Sequence, residues 1–185
     1  MTCRSCWLIS CPSTGAVRGS KREVAVAFAD LVGFTRLGEQ VAPDELGRVA
    51  HRLVELTAER LRGDVRLVKT IGDAAMLVGP DAHAMLGVAL DLVDAADAEG
   101  EDFPQLRAGL ALGPALSRAG DWYGAPVNLA SRLTARARPA SVLATSEVRE
   151  RAGDGWTWSS AGPKKLKGLT APVKTFRVRR EEPGE

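Results

Sequence analysis

The chain has 185 residues, 45% of them hydrophobic, which suits one globular domain with a real core. Its 25 Lys and Arg against 23 Asp and Glu leave a net charge of +2, so there is no electrostatic case for a nucleic-acid partner. No apolar run approaches the ~18–20 residues that a membrane-spanning helix needs.

All three cysteines, Cys3, Cys6 and Cys11, lie at the N-terminus. A zinc site there lacks a fourth ligand, because the only histidines, His51 and His83, fall on predicted helices far along the chain. Residues 1–20 read as a disordered, reduced leader, and Trp7-Leu8-Ile9 is too short for a secretory segment. The remainder has no cysteine, consistent with a cytoplasmic setting.

Residues 22–30 predict a strand. Val24, Val26, Phe28 and Asp30 share one face, and Ala25, Ala27 and Ala29 the other, where a helix could approach closely. A turn follows, with Gly33 at the bend and Thr35 placed to cap a helix. Pro43 and Asp44 open a helix whose stripe is Leu46, Val49, Leu53, Leu56 and Leu61, with Gly63 as its stop. Residues 65–70 and 74–78 predict a hairpin about Gly72-Asp73. A second helix spans about Asp81 to Glu99, with Met85 as core filler and His83 solvated in its first turn. A strand then runs from Leu106 to Leu112.

This β-α-β-β-α-β order predicts an α+β, ferredoxin-like core: an antiparallel sheet with both helices on one side and the other face open. A C-terminal α/β extension follows. It consists of a short ribbon at 114–119, a helix from Pro126 to about Arg136, a strand at 141–145 and a helical turn at 146–152. A strand carrying Trp156 and Trp158 comes next, then a loop, Lys164-Lys165-Leu166-Lys167-Gly168, and a last strand, 173–178, with a frayed tail after Arg179. The domain is thus expected over residues 21–180, with 181–185 as a disordered tail.

Four stretches carry chemistry: Phe28-Ala-Asp-Leu-Val-Gly-Phe-Thr35, Lys69-Thr-Ile-Gly-Asp73, Asp121-Trp-Tyr-Gly-Ala-Pro-Val-Asn128, and Asn128-Leu-Ala-Ser-Arg132. Asp30 and Asp73 sit at strand ends, and two converging carboxylates suit two-metal phosphoryl chemistry. Backbone N–H groups beside such a carboxylate can take phosphates. Asn128, Ser131 and Arg132 share one helix face. Each residue alone has an ordinary reading, as a turn aspartate, a solvated lysine or an exposed helix face.

In type, order and spacing these stretches resemble the catalytic domain of class III nucleotidyl cyclases, over residues 22 to about 178. The resemblance implies a homodimer with two sites at its interface. Asp30 and Asp73 of one chain, helped by the carbonyl of Leu31, would hold two Mg²⁺ or Mn²⁺ ions. The backbone around Gly33, Phe34 and Thr35 would take the β- and γ-phosphates. The other chain would bring Lys69 and Asp121 to the purine, Asn128 and Arg132 to the reacting centre, and Lys167 to the triphosphate. Lysine only donates and aspartate only accepts, which matches N1 and N6 of adenine and mismatches guanine. The expected activity is therefore adenylate cyclase, with ATP as substrate. A silent nucleotide-binding or dimerisation module and a guanylate cyclase are the alternatives. The short segment 114–127 resembles the subgroup with a reduced dimerisation arm, and Tyr123 stands where tryptophan is common.

Overall fold

A computed structural model describes residues 20–181; the cysteine cluster, most of the expected leader and the last four residues lie outside that range. The first strand, β1 (Ser20–Leu31), is hydrogen-bonded along both edges. On one side lies β3 (Ala74–Gly79), antiparallel from Ala25↔Gly79 to Asp30↔Ala74. On the other lies β4 (Leu106–Arg118), antiparallel from Ser20↔Ser117 to Leu31↔Leu106. With β2 (Arg66–Ile71) outside β3, these four strands stand in the order β2-β3-β1-β4, the ferredoxin-like arrangement. The sheet continues through β6 (Ser141–Thr145), β8 (Val173–Arg180) and β7 (Trp156–Lys164). It is mixed rather than wholly antiparallel, because β6 runs parallel to β4.

The two faces of β1 follow the predicted alternation. Ala25, Ala27 and Ala29 are buried in the main core with Leu53 and Leu56 of α2 (Pro43–Arg60) and Met85, Leu86, Ala89 and Leu92 of α3 (Ala82–Ala98). Alanine keeps that face shallow, so both helices share one side of the sheet. Asp81 caps α3 by accepting from the backbone N–H groups of His83 and Ala84. The helix α2 stops at Arg60, three residues before Gly63, because Leu61 already adopts extended backbone.

The opposite face is not left open. Val24, Val26 and Phe28 pack with Met76, Val78, Ala111, Ala115 and Ala130, the last from α4 (Ala125–Thr134). The Thr134 hydroxyl lies 2.9 Å from the Ala130 carbonyl and 3.1 Å from that of Phe28, so it can donate to either and ties α4 to β1. The expected ribbon at 114–119 is mostly the far end of β4, which pairs with β5 (Asp121–Tyr123) as a hairpin.

Other departures are local. Thr35 does not cap: it lies inside the short helix α1 (Phe34–Leu37), whose N-cap is Gly33 at φ +78°. Lys164 ends β7 rather than opening a loop. His83 is exposed but not free, since its Nδ1 lies 2.8 Å from the Ala152 carbonyl and its ring meets Trp156 at 4.9 Å. Arg180 is no frayed end: it donates to Asp94 at 2.8 Å and also meets Asp91, both on α3. Among the described residues, no helix is long and apolar enough to cross a membrane.

Gly109 shows how closely α4 lies on the sheet. A Cβ there would stand 2.3 Å from the Thr134 nitrogen and 2.7 Å from the Ala130 carbonyl oxygen, both backbone atoms. Gly109→Ala must therefore push α4 off the sheet. The expected loss is at least about 1–3 kcal/mol, seen as a lower urea midpoint at unchanged m-value.

Candidate functional site

The β2–β3 hairpin turns at Gly72 (φ +62°), which leaves Asp73 as the last residue before β3. The Leu31 N–H donates to the Asp73 carbonyl at 3.1 Å, so this turn is latched to the end of β1. Since Asp30 pairs with Ala74, the two aspartates lie beside each other at the mouth of the sheet. Burial pushes the Asp73 carboxyl above its usual range, and the negative charge of Asp30 adds to the shift, while the Arg107 guanidinium opposes it.

Arg107 was not among the expected site residues. It stands opposite Asp30 across β1 and β4 and donates to one carboxylate oxygen, Oδ2, from Nε at 3.0 Å and Nη2 at 2.7 Å. Its signal in the sequence was a lone charge within the apolar strand Leu106–Leu112. That signal has meaning only once the register places it against Asp30.

Among the described residues, no group of three or more His, Cys, Asp or Glu is arranged to hold a metal ion. The donor set at this corner is two carboxylates and main-chain carbonyls. Hard oxygens of this kind fit Mg²⁺ or Mn²⁺ rather than zinc. The upward push of the Asp30 charge on Asp73 fits too, because a cation relieves repulsion between neighbouring carboxylates. Next to them, Gly33, Phe34 and Thr35 form the start of α1, where the first N–H groups of a helix have no carbonyl of their own turn to bond.

A second pair is also assembled within the one chain. Lys69 of β2 reaches Asp121 of β5, with Nζ 2.5 Å from Oδ2. The other oxygen, Oδ1, accepts from the Trp122 N–H at 2.8 Å. The Lys69 ammonium chiefly, and the Trp122 N–H next, hold the Asp121 carboxyl below its usual range. Val68 and Trp122 both pack on the sheet face shared with α4, which brings β2 and the β4–β5 hairpin together.

On α4, Asn128 is exposed and Arg132 half-buried one turn later. The Arg132 guanidinium lies against Gly168, in the lysine-bearing loop between β7 and β8, and Lys167 beside it is exposed. The fold thus forms three groupings: Asp30 with Asp73, Leu31 and the start of α1; Lys69 with Asp121; and Asn128 and Arg132 with the loop of Lys167. A cavity of about 470 Å³ lies along α3, β6 and β8, lined by residues such as Leu90, Val93, Arg138 and Ser141.

The two titrations make opposite predictions. Asp73 should titrate above an ordinary aspartate, and Asp30→Asn should lower its midpoint without abolishing the shift, because burial remains. Asp121 should titrate below, and Lys69→Ala should raise it. The Asp121 pair adds stability above the unfolded-state pKa and loses it as pH falls through the folded value. Carboxyl-carbon NMR titration of the two variants checks both signs.

Residues 17–180 match the family described as the adenylate and guanylate cyclase catalytic domain. The chain is 53% identical over 164 residues to a protein of Mycobacterium tuberculosis named pH-sensitive adenylate cyclase MT1302, covering 86% of this chain and 41% of that protein. An adenylate cyclase of Streptomyces coelicolor is 43% identical over 131 residues, covering 70% and 34%. This chain therefore spans about two fifths or less of these relatives. Among solved structures, the adenylyl cyclase CyaB from P. aeruginosa superposes with a TM-score of 0.81 at 21% identity, covering 90% of this chain and 98% of that one, which supports the fold.

Proposed function

Because the chain belongs to the adenylate and guanylate cyclase catalytic-domain family, we propose that it converts ATP to 3′,5′-cyclic AMP and pyrophosphate in a homodimer with two shared sites. The observation that carries the choice of ATP is the Lys69–Asp121 pair, a pure donor and a pure acceptor already side by side at 2.5 Å. Adenine presents N1 as an acceptor and N6 as a donor, so it can replace each partner with the other kind it needs. Guanine presents N1–H and O6 and leaves both groups mismatched, which a desolvated site penalises heavily.

Asp30, Asp73 and the Leu31 carbonyl would hold two Mg²⁺ or Mn²⁺ ions, whose chemistry when bound is to lower the pKa of the ribose 3′-hydroxyl and to clamp the triphosphate. The rest falls to the chain itself. Arg107, donating twice to Oδ2 of Asp30, aligns that carboxylate. The backbone from Gly33 to Thr35 takes the β- and γ-phosphates. From the other subunit, Asn128 orients the ribose by a neutral hydrogen bond. Arg132 spreads positive charge over the α-phosphoryl as negative charge builds there. Lys167 meets the triphosphate.

Incubation with Mn²⁺ and either ATP or GTP, followed by cyclic product, tests this reading. Cyclic AMP is expected from ATP and little cyclic GMP from GTP. Cyclic GMP as the main product would overturn the base assignment, and no product from either would favour a silent module. Asp73→Ala and Arg132→Ala should each cost at least ~10²–10³ in rate. Mixing the two variants should restore activity, because one of the two sites in the heterodimer escapes both changes. Lys69→Glu with Asp121→Cys should lose the preference for ATP.

A further inference from the structure

The loop between β7 and β8 is built around one turn. Leu166 is buried at 4% exposure and anchors it. The Leu169 N–H donates to the Leu166 carbonyl at 3.1 Å, closing a four-residue turn over Leu166-Lys167-Gly168-Leu169. Gly168, in the third position, has φ +78°, the sign that this position of a type II turn requires. That alone would account for a glycine. A second observation does not follow from the turn. A Cβ on Gly168 would stand 3.3 Å from Nη2 of Arg132, 3.7 Å from Nη1 and 3.8 Å from Cζ. Cζ is the farthest of the three, so it is the Nη edge of the guanidinium, Nη2 foremost, that faces the space a side chain at 168 would fill. Arg132 has no salt bridge among the described residues. Among those residues, no carboxylate competes with the glycine in setting where its head stands.

We propose that Gly168 is a positioning residue, the seat that fixes the Arg132 guanidinium. It rests on the reading above, in which Arg132 faces the α-phosphoryl. The missing side chain sets how far back the guanidinium can lie, and the same turn presents Lys167 one residue earlier. Arg132 from α4 and Lys167 from the loop are thereby held in fixed relation by one backbone turn, although 35 residues separate them. A methyl group at Gly168 would tilt the guanidinium by pushing its Nη2 edge outward. Charge stabilisation depends on placement at the level of an ångström or less, so the loss falls on the chemical step and not on ATP binding.

Asparagine separates the two duties. It tolerates positive φ at the third position of a type II turn, and it carries a Cβ. Gly168→Asn is expected to keep the thermal midpoint and KM for ATP near the wild-type values while kcat falls about 10-fold, less than the ~10²–10³ of losing the stabilising group outright. Gly168→Ala should show the same kcat loss with an added loss of stability from the strained turn. Against an Arg132→Ala background, Gly168→Asn should cost nothing further. Wild-type kcat in Gly168→Asn would overturn the proposal, since the glycine would then serve the turn alone. A full 10-fold further loss in the Arg132→Ala background would also overturn it, because the glycine would act independently of the arginine. Subunit mixing is a separate readout: failure of Asp73→Ala with Arg132→Ala to complement would sink the shared-site reading, whereas the seat is judged by the two-variant comparison within one chain.

Discussion

The hydrogen bonding of β1 along both edges is the constraint on which the other features depend. Six residues pair with β3 and twelve with β4. A strand held on both sides cannot slip, because a shift by one residue would exchange its two faces and turn Asp30 into the helical core. With the register set, the alanine face receives α2 and α3, and the Val24-Val26-Phe28 face receives α4. The same register sets Asp30 against Arg107 and beside the Asp73 turn.

The charged groups fall into two kinds. Asp30 and Arg107, like Lys69 and Asp121, already satisfy one another within the chain. These pairs are partly exposed, so solvent screens them and they add little to stability. Arg132 is different. Its guanidinium lies beside Gly168 and makes no salt bridge among the described residues.

Much of this was legible in the residue order. The alternation in 22–30, the leucine stripe of α2 and the Gly72-Asp73 link each follow from period and turn chemistry, and together they predicted the ferredoxin-like order. Thr35 misled because a capping residue type was read without the backbone. Gly33 adopts the left-handed conformation and begins α1 itself. The covering of the second sheet face by α4 was missed because its cause is spatial: Gly109 and Ala130 are small residues that allow contact, and smallness names no partner.

The candidate site divides in the same way. The resemblance of four short stretches to class III cyclases marked Asp30, Asp73, Lys69, Asp121, Asn128 and Arg132, and donor and acceptor character, a property of each side chain, made chemical sense of the roles it implies. Which of them meet was left to the packed chain. Lys69 and Asp121 are 52 residues apart, and Asp30 and Arg107 77 apart. Such contacts come from strand register and from the closure of long loops, in which every intervening element takes part, so no local window of residues contains them.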